Sequence, residues 1–119
     1  MRVTVPTTGY DGLAEEVNHH MGHAPTWTIV DTETREVRVV ENTSNHRGGV
    51  GMPPEVIARA GTDVVLCRTL GQRAIVLFRG FGIKVHVGAE GTVEEALRAW
   101  EDGLLPEADE HTDCGHGCH

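Results

Sequence analysis

The chain reads as an α/β protein in which a mixed β-sheet carries helices on its faces. Three observations point to that class. Two segments rich in β-formers, residues 27–31 and 37–40, flank a short polar turn and make a hairpin. From residue 53 onward the pattern becomes helix, strand, helix, strand, helix. A hairpin followed by such units demands a sheet with both strand directions and helices packed against it. Finally, Thr92 with Glu95 three residues later is a capping box, which fixes where the last helix begins.

The elements follow in order. Residues 1–5 form a first strand that Pro6 ends, and residues 7–25 are polar and irregular, with glycines at Gly9, Gly12 and Gly22. The hairpin comes next, and residues 42–51 form a loop. Pro53 and Pro54 open a helix, because proline is tolerated in the first turn. Gly61 stops that helix at the usual C-terminal position. Residues 63–67 are a short apolar run, as in a buried parallel strand. Residues 71–79 form a second helix, weakened by the β-branched pair Ile75 and Val76. Residues 82–87 are another strand. In the last helix Ala96, Leu97 and Trp100 share one face, and Gly103 ends it. The result is five strands and three helices in one domain, residues 1–105, followed by an acidic Cys/His tail, residues 106–119.

A length of 119 residues suits a single hydrophobic core. No apolar run is long enough to cross a bilayer, and residues 1–6 have no signal-peptide pattern, so the expectation is a cytoplasmic protein without a membrane partner. There, cysteines serve as metal ligands or redox groups more often than as disulfides. The net charge of −8 argues against nucleic acid as a partner, which needs a basic surface. Aromatic residues are only 4% of the chain, so the core must rest on Val, Ile, Leu and Ala.

Several residues have the chemistry of ligands. Cys114, His116, Cys118 and His119 are separated by little except glycine, which lets a short segment fold its soft donors around one ion. The two cysteines lack a distant second pair, so the tail matches no standard zinc motif and supplies part of a coordination sphere, or binds metal adventitiously. His19, His20 and His23 lie close together after the first strand, and His20 and His23 could share an ion with His46 on the next long loop; the plain alternative is solvated loop histidines. Gly48, Gly49 and Gly51 precede a helix start, where backbone amides and partial positive charge suit an anion; the same glycines also serve a flexible connector. Cys67 ends a strand, and ligands collect at the carboxyl ends of strands in open α/β sheets; a buried structural cysteine is the competing reading. Arg68 and Arg73 either offset a bound anion or solvate the helix start, and His86, among valines, reads as structural.

Four segments resemble one family. They are His20-Met21-Gly22-His23-Ala24-Pro25, Thr28-Ile29-Val30-Asp31-Thr32-Glu33-Thr34, Gly61-Thr62-Asp63-Val64-Val65-Leu66, and Gly82-Ile83-Lys84-Val85 with Gly88 and Gly91-Thr92-Val93-Glu94-Glu95-Ala96-Leu97. From about Val3 to Leu104 the chain resembles the dinitrogenase iron–molybdenum cofactor biosynthesis family, the NifX-like domain also found at the C-terminus of NifB. Met21 and His23 stand where the family has an aromatic residue and an arginine, and Arg68 stands where it has a glycine. The resemblance implies a ribonuclease-H-like motif with a five-stranded mixed sheet, a cluster ligand at His20, and exchange of an iron–sulfur or iron–molybdenum cluster with a donor or acceptor protein.

The functional expectation is a noncatalytic carrier of a transition-metal ion or of such a cluster. His20, His23 and His46 form its mouth and the tail its capture arm. An acidic protein attracts cations and repels anionic clusters at long range, which favours ions. The alternative is a metal-responsive protein-interaction module. A third class, a ribonuclease-H-like nuclease, needs carboxylates converging on two metal ions. Asp31 and Asp63 lie at opposite ends of their strands and no third inward acid is evident, so no enzyme is expected.

Overall fold

The computed structural model describes residues 1–19, 24–42 and 53–108. Its organising element is β1 (Arg2–Thr7), which pairs antiparallel with β2 (Thr26–Asp31) on one side and parallel with β4 (Val64–Leu66) on the other. Beyond these lie β3 (Val37–Glu41), β5 (Lys84–His86) and β6 (Glu107–Ala108), in the order β3-β2-β1-β4-β5-β6. The helices are α1 (Pro53–Arg59), α2 (Gln72–Gly80) and α3 (Val93–Glu101), with a 3-10 turn at Gly12–Ala14.

The mixed sheet and the three helices match the expectation, but the sheet has six strands where the sequence suggests five. The extra strand, β6, lies in residues the sequence assigns to the tail. Glu107 and Ala108 carry no β-signature of their own. Tertiary context makes them a strand: Ala108 pairs with Val85, and both are fully buried. A second difference concerns Pro6, which does not end β1. It sits opposite Trp27, and its carbonyl accepts from the Asn18 amide on the side away from β2. β4 pairs only with Val3 and Thr4, so the missing N–H of Pro6 costs no ladder bond. A third difference is that β5 starts at Lys84 rather than residue 82. Gly82 has a φ of +79°, and Ile83 donates back to the Phe78 carbonyl, so both belong to the turn that closes α2.

Side chains alternate across the sheet, and each face has its own core. On one face Ile57 of α1 and Ile75 and Phe78 of α2 pack with Trp27, Val65 and Val85. On the other, Val93, Ala96 and Leu97 of α3 pack with Val3, Val5, Val30, Val64 and Leu66. The unbroken apolar run of β4 follows, since its successive residues face different cores. Burial of Ile75 and Phe78 also holds α2 helical despite its β-branched pair. The capping box of α3 forms as the sequence predicts, with Thr92 accepting from the Glu95 amide and Glu95 from the Thr92 amide. Between β1 and β2, Thr7, Thr26 and Thr28 are buried and bonded to one another: Thr7 Oγ1 lies 2.7 Å from Thr26 Oγ1 and 3.0 Å from Thr28 Oγ1. Thr26 also donates to the Gly9 carbonyl at 2.6 Å.

Three carboxylates act as acceptors that shape turns. Glu15 takes the Thr8 hydroxyl at 2.6 Å and the amides of Glu16 and Asp11. Asp31 takes the amides of Glu33 and Thr34, and Glu95 caps α3. These bonds hold all three below their ordinary carboxylate values; the Thr8 hydroxyl is the leading cause for Glu15, the Glu33 amide for Asp31 and the Thr92 amide for Glu95.

Two outcomes are expected. Trp27→Ala, which empties the largest fully buried side chain, should cost about 3–5 kcal/mol in urea or thermal unfolding. The lowered carboxylates stabilise the fold above their unfolded values, and that contribution is lost as pH falls through the folded ones. Urea midpoints should therefore drop below about pH 4, and Glu15→Gln should lower the midpoint at neutral pH while flattening this acid limb.

Candidate functional site at the carboxyl end of the sheet

β1, β3, β4 and β5 run in one direction, and β2 and β6 run against them. The carboxyl ends of four strands and the start of β2 therefore meet at one end of the sheet, where open α/β sheets take their ligands. Here the connecting segments are tied to each other. Asn42, just past β3, donates its amide to the Pro25 carbonyl at 3.0 Å and its Nδ2 to the Ala24 carbonyl at 2.8 Å. Tyr10 donates to Glu41 at 2.8 Å, a bond to a carboxylate that raises the phenol above its ordinary value. The Val17 amide donates to Gly91 and the Val93 amide to Glu15, so the first connection is stitched to the start of α3.

Arg68 follows β4 and is exposed. Its Nη1 lies 3.2 Å from Nε2 of His19. A guanidinium can only donate, so Nε2 is the acceptor and Nδ1 carries the proton in this tautomer. A cation and an imidazole thus stand together at the mouth. Cys67, one residue earlier, points the other way. It is 1% exposed, belongs to the core with Trp27 and Leu70, and its Sγ lies 3.8 Å from the His86 carbonyl. The thiol underlies the mouth and is not presented at its surface. His86 is structural as expected: Nδ1 lies 2.8 Å from the Leu105 carbonyl, and the ring meets Trp100 edge-on.

The other sequence-predicted ligands lie outside the described residues. His20 and His23 fall in segment 20–23, and His46, Gly48, Gly49 and Gly51 fall in segment 43–52. Cys114, His116, Cys118 and His119 fall in segment 109–119. The flanks of the first two segments are described, and they lie at this same end. His19 meets Arg68, Ala24 and Pro25 meet Asn42, and α1 runs from here toward Ala60, whose carbonyl accepts from Arg2 at the far end of β1. Among the described residues no three His, Cys, Asp or Glu side chains gather to hold a metal ion.

Asp31 and Asp63 are on the far side. Because β2 is antiparallel, they share an end of the sheet although they occupy opposite ends of their strands. They flank Arg2, opposite which Asp31 sits, and Asp63 accepts the Arg2 amide at 2.8 Å. Both carboxylates serve as backbone acceptors there. A groove of about 370 Å³ between α3 and Arg35 also lies away from the mouth and is crossed by the Arg35–Glu101 pair at 3.5 Å. Sequence reasoning missed Tyr10, Glu15 and Asn42 as the ties of this end. Asn42 had the best signal, since a polar amide just past a strand commonly bonds neighbouring backbone.

Comparison with known proteins agrees with this architecture. A family model described as dinitrogenase iron-molybdenum cofactor matches residues 1–103. An uncharacterized protein of Methanocaldococcus jannaschii, MJ0580, is 28% identical over 91 residues, which cover 72% of this chain and 77% of that protein. The apo form of the orange protein from Desulfovibrio gigas is similar in structure, with a TM-score of 0.78, 31% identity, and coverage of 90% of this chain and 92% of that one. A putative NifB protein from Thermotoga, TM1290, gives a TM-score of 0.79 at 32% identity, covering 96% of this chain and 98% of its own. No helix among the described residues is long and apolar enough to cross a membrane. With its family model spanning β1 to β5 and all three helices, the chain belongs to the dinitrogenase iron–molybdenum cofactor family.

Proposed function

We propose that this protein is a noncatalytic carrier that holds a transition-metal ion or an iron–sulfur or iron–molybdenum type cluster at the carboxyl end of its sheet and passes it to an acceptor protein in the cytoplasm. The observation that carries this reading is the tying of the flanks of the two histidine-bearing segments, 20–23 and 43–52, to one end of the sheet beside Arg68 and His19. His20, His23 and His46 are the proposed ligands, with the amides of Gly48, Gly49 and Gly51 facing an anionic cargo. Arg68 supplies local positive charge on a chain of net charge −8, which offsets the long-range repulsion of an anionic cluster. Family membership and the similarity to the orange protein and to TM1290 support the same reading. The order β3-β2-β1-β4-β5, with only β2 antiparallel among those five, supports the ribonuclease-H-like description of the fold. Cys114, His116, Cys118 and His119 form the proposed capture arm, and Cys67 serves the scaffold beneath the mouth.

Metal content and absorption spectra of protein purified without oxygen test the proposal. His20→Ala should lower bound metal with little change in melting temperature, as for a ligand that carries no packing role. Removing residues 114–119 should lower metal stoichiometry and leave the fold intact, because the last strand ends at Ala108. Full metal content in both variants would sink the carrier reading.

Arg68→Ala separates the two kinds of cargo. It should weaken an anionic cluster by about tenfold, the equivalent of one charge-assisted contact of about 1.4 kcal/mol, and leave a simple cation unaffected. Titration of each cargo followed by absorption checks this.

A further inference from the structure

We infer that β3 is a self-pairing edge and that two copies of this chain join through it, antiparallel, into one continuous sheet. β3 is the terminal strand of the sheet and pairs with β2 over its full five residues without a bulge. The Asp31 amide donates to Glu36 and the Asn42 amide to Pro25, so the even-numbered residues of β3 turn their backbone groups toward β2. Val37, Val39 and Glu41 turn theirs outward, and among the described residues those amides have no backbone acceptor. Proteins protect such edges with proline, lysine, bulges or covering loops. The sequence here is Val-Arg-Val-Val-Glu, with a single cation and no proline.

The strand complements itself in one register. With the two-fold axis at Val39, Val39 faces Val39 of the second copy, Val37 faces Glu41, and Arg38 faces Val40. Every outward-facing residue then meets another, so both hydrogen bonds of each facing pair can form. No like charges stand directly opposite, and three valines that are half-buried in one copy gain cross-strand partners. A shift that centres the axis on Arg38 sets two guanidinium groups against each other. The other edge is a poorer candidate, since β6 has only two residues. Antiparallel pairing points the two carboxyl ends in opposite directions, so each copy keeps an independent mouth.

Sedimentation of the full chain from about 10 µM to about 1 mM, with chelator and reductant present to remove tail-mediated association, should show mass rising from 12.9 kDa toward twice that value. Amide exchange at Val37, Val39 and Glu41 should slow with concentration while that at Arg38 and Val40 stays constant. Val39→Pro removes an outward N–H and no hydrogen bond to β2, so it should lower the melting temperature far less than a core substitution and abolish the dimer. Val39→Glu sets like charges against each other across the axis and should give a monomer at low salt even if the proline variant misfolds. A monomer at every concentration overturns the proposal. So does a dimer that survives both variants, which would move the contact elsewhere, for instance to exposed Val76 and Leu77 of α2 and Phe81 just past it.

Discussion

Everything in this molecule depends on β1 having neighbours of opposite direction. Antiparallel pairing to β2 and parallel pairing to β4 are set within six residues, and β3, β5 and β6 take their directions by pairing outward from these neighbours. Four strands must then finish at one end, and the connections that follow them must crowd together there. The crowding is stabilised by backbone bonds between segments far apart in sequence, such as Val17 to Gly91 and Asn42 to Pro25. The mouth is thus a consequence of strand direction before it is a consequence of any side chain.

Much of the scaffold was legible in the sequence. The hairpin, the three helices and the cap at Thr92 all carry local signals: alternation, helical spacing, or a polar residue at a fixed offset. What escaped was set by tertiary context. β6 has no propensity to announce it and exists because Ala108 fits beside Val85. Pro6 normally stops a strand, and does not here because its nitrogen faces a side that β4 has already left. The same limit applies to the site. Spacing along the chain put Asp31 and Asp63 at opposite strand ends, and pairing direction put them together around Arg2. Spacing likewise left open whether Cys67 was a ligand or part of the core, and in the fold it is buried in the cluster that holds Trp27 and Leu70.

The charge distribution also takes on meaning only in the folded chain. Net charge describes long-range attraction, whereas a cargo at contact distance feels the groups beside it. Arg68 stands just past β4 and donates to His19. That contact puts a cation at this end of the sheet in a chain of net charge −8. An acidic surface with a basic group at one end attracts cations at long range and presents positive charge locally.

The buried threonine trio has a direction. The Gly9 and Thr7 carbonyls, at 2.6 and 3.2 Å, can only accept, so Thr26 directs its single proton to them. Thr7 then has to donate to Thr26, and Thr28 to Thr7. The three hydroxyls form a polarised chain that starts inside the sheet and ends at the first turn beyond β1, each bond strengthening the next. Valine at one position would interrupt the relay and strand a neighbour without its partner, whereas an apolar set at all three would leave no hydroxyl unmatched. The three threonines therefore act as one unit, and replacing any one of them changes the bonding of the others.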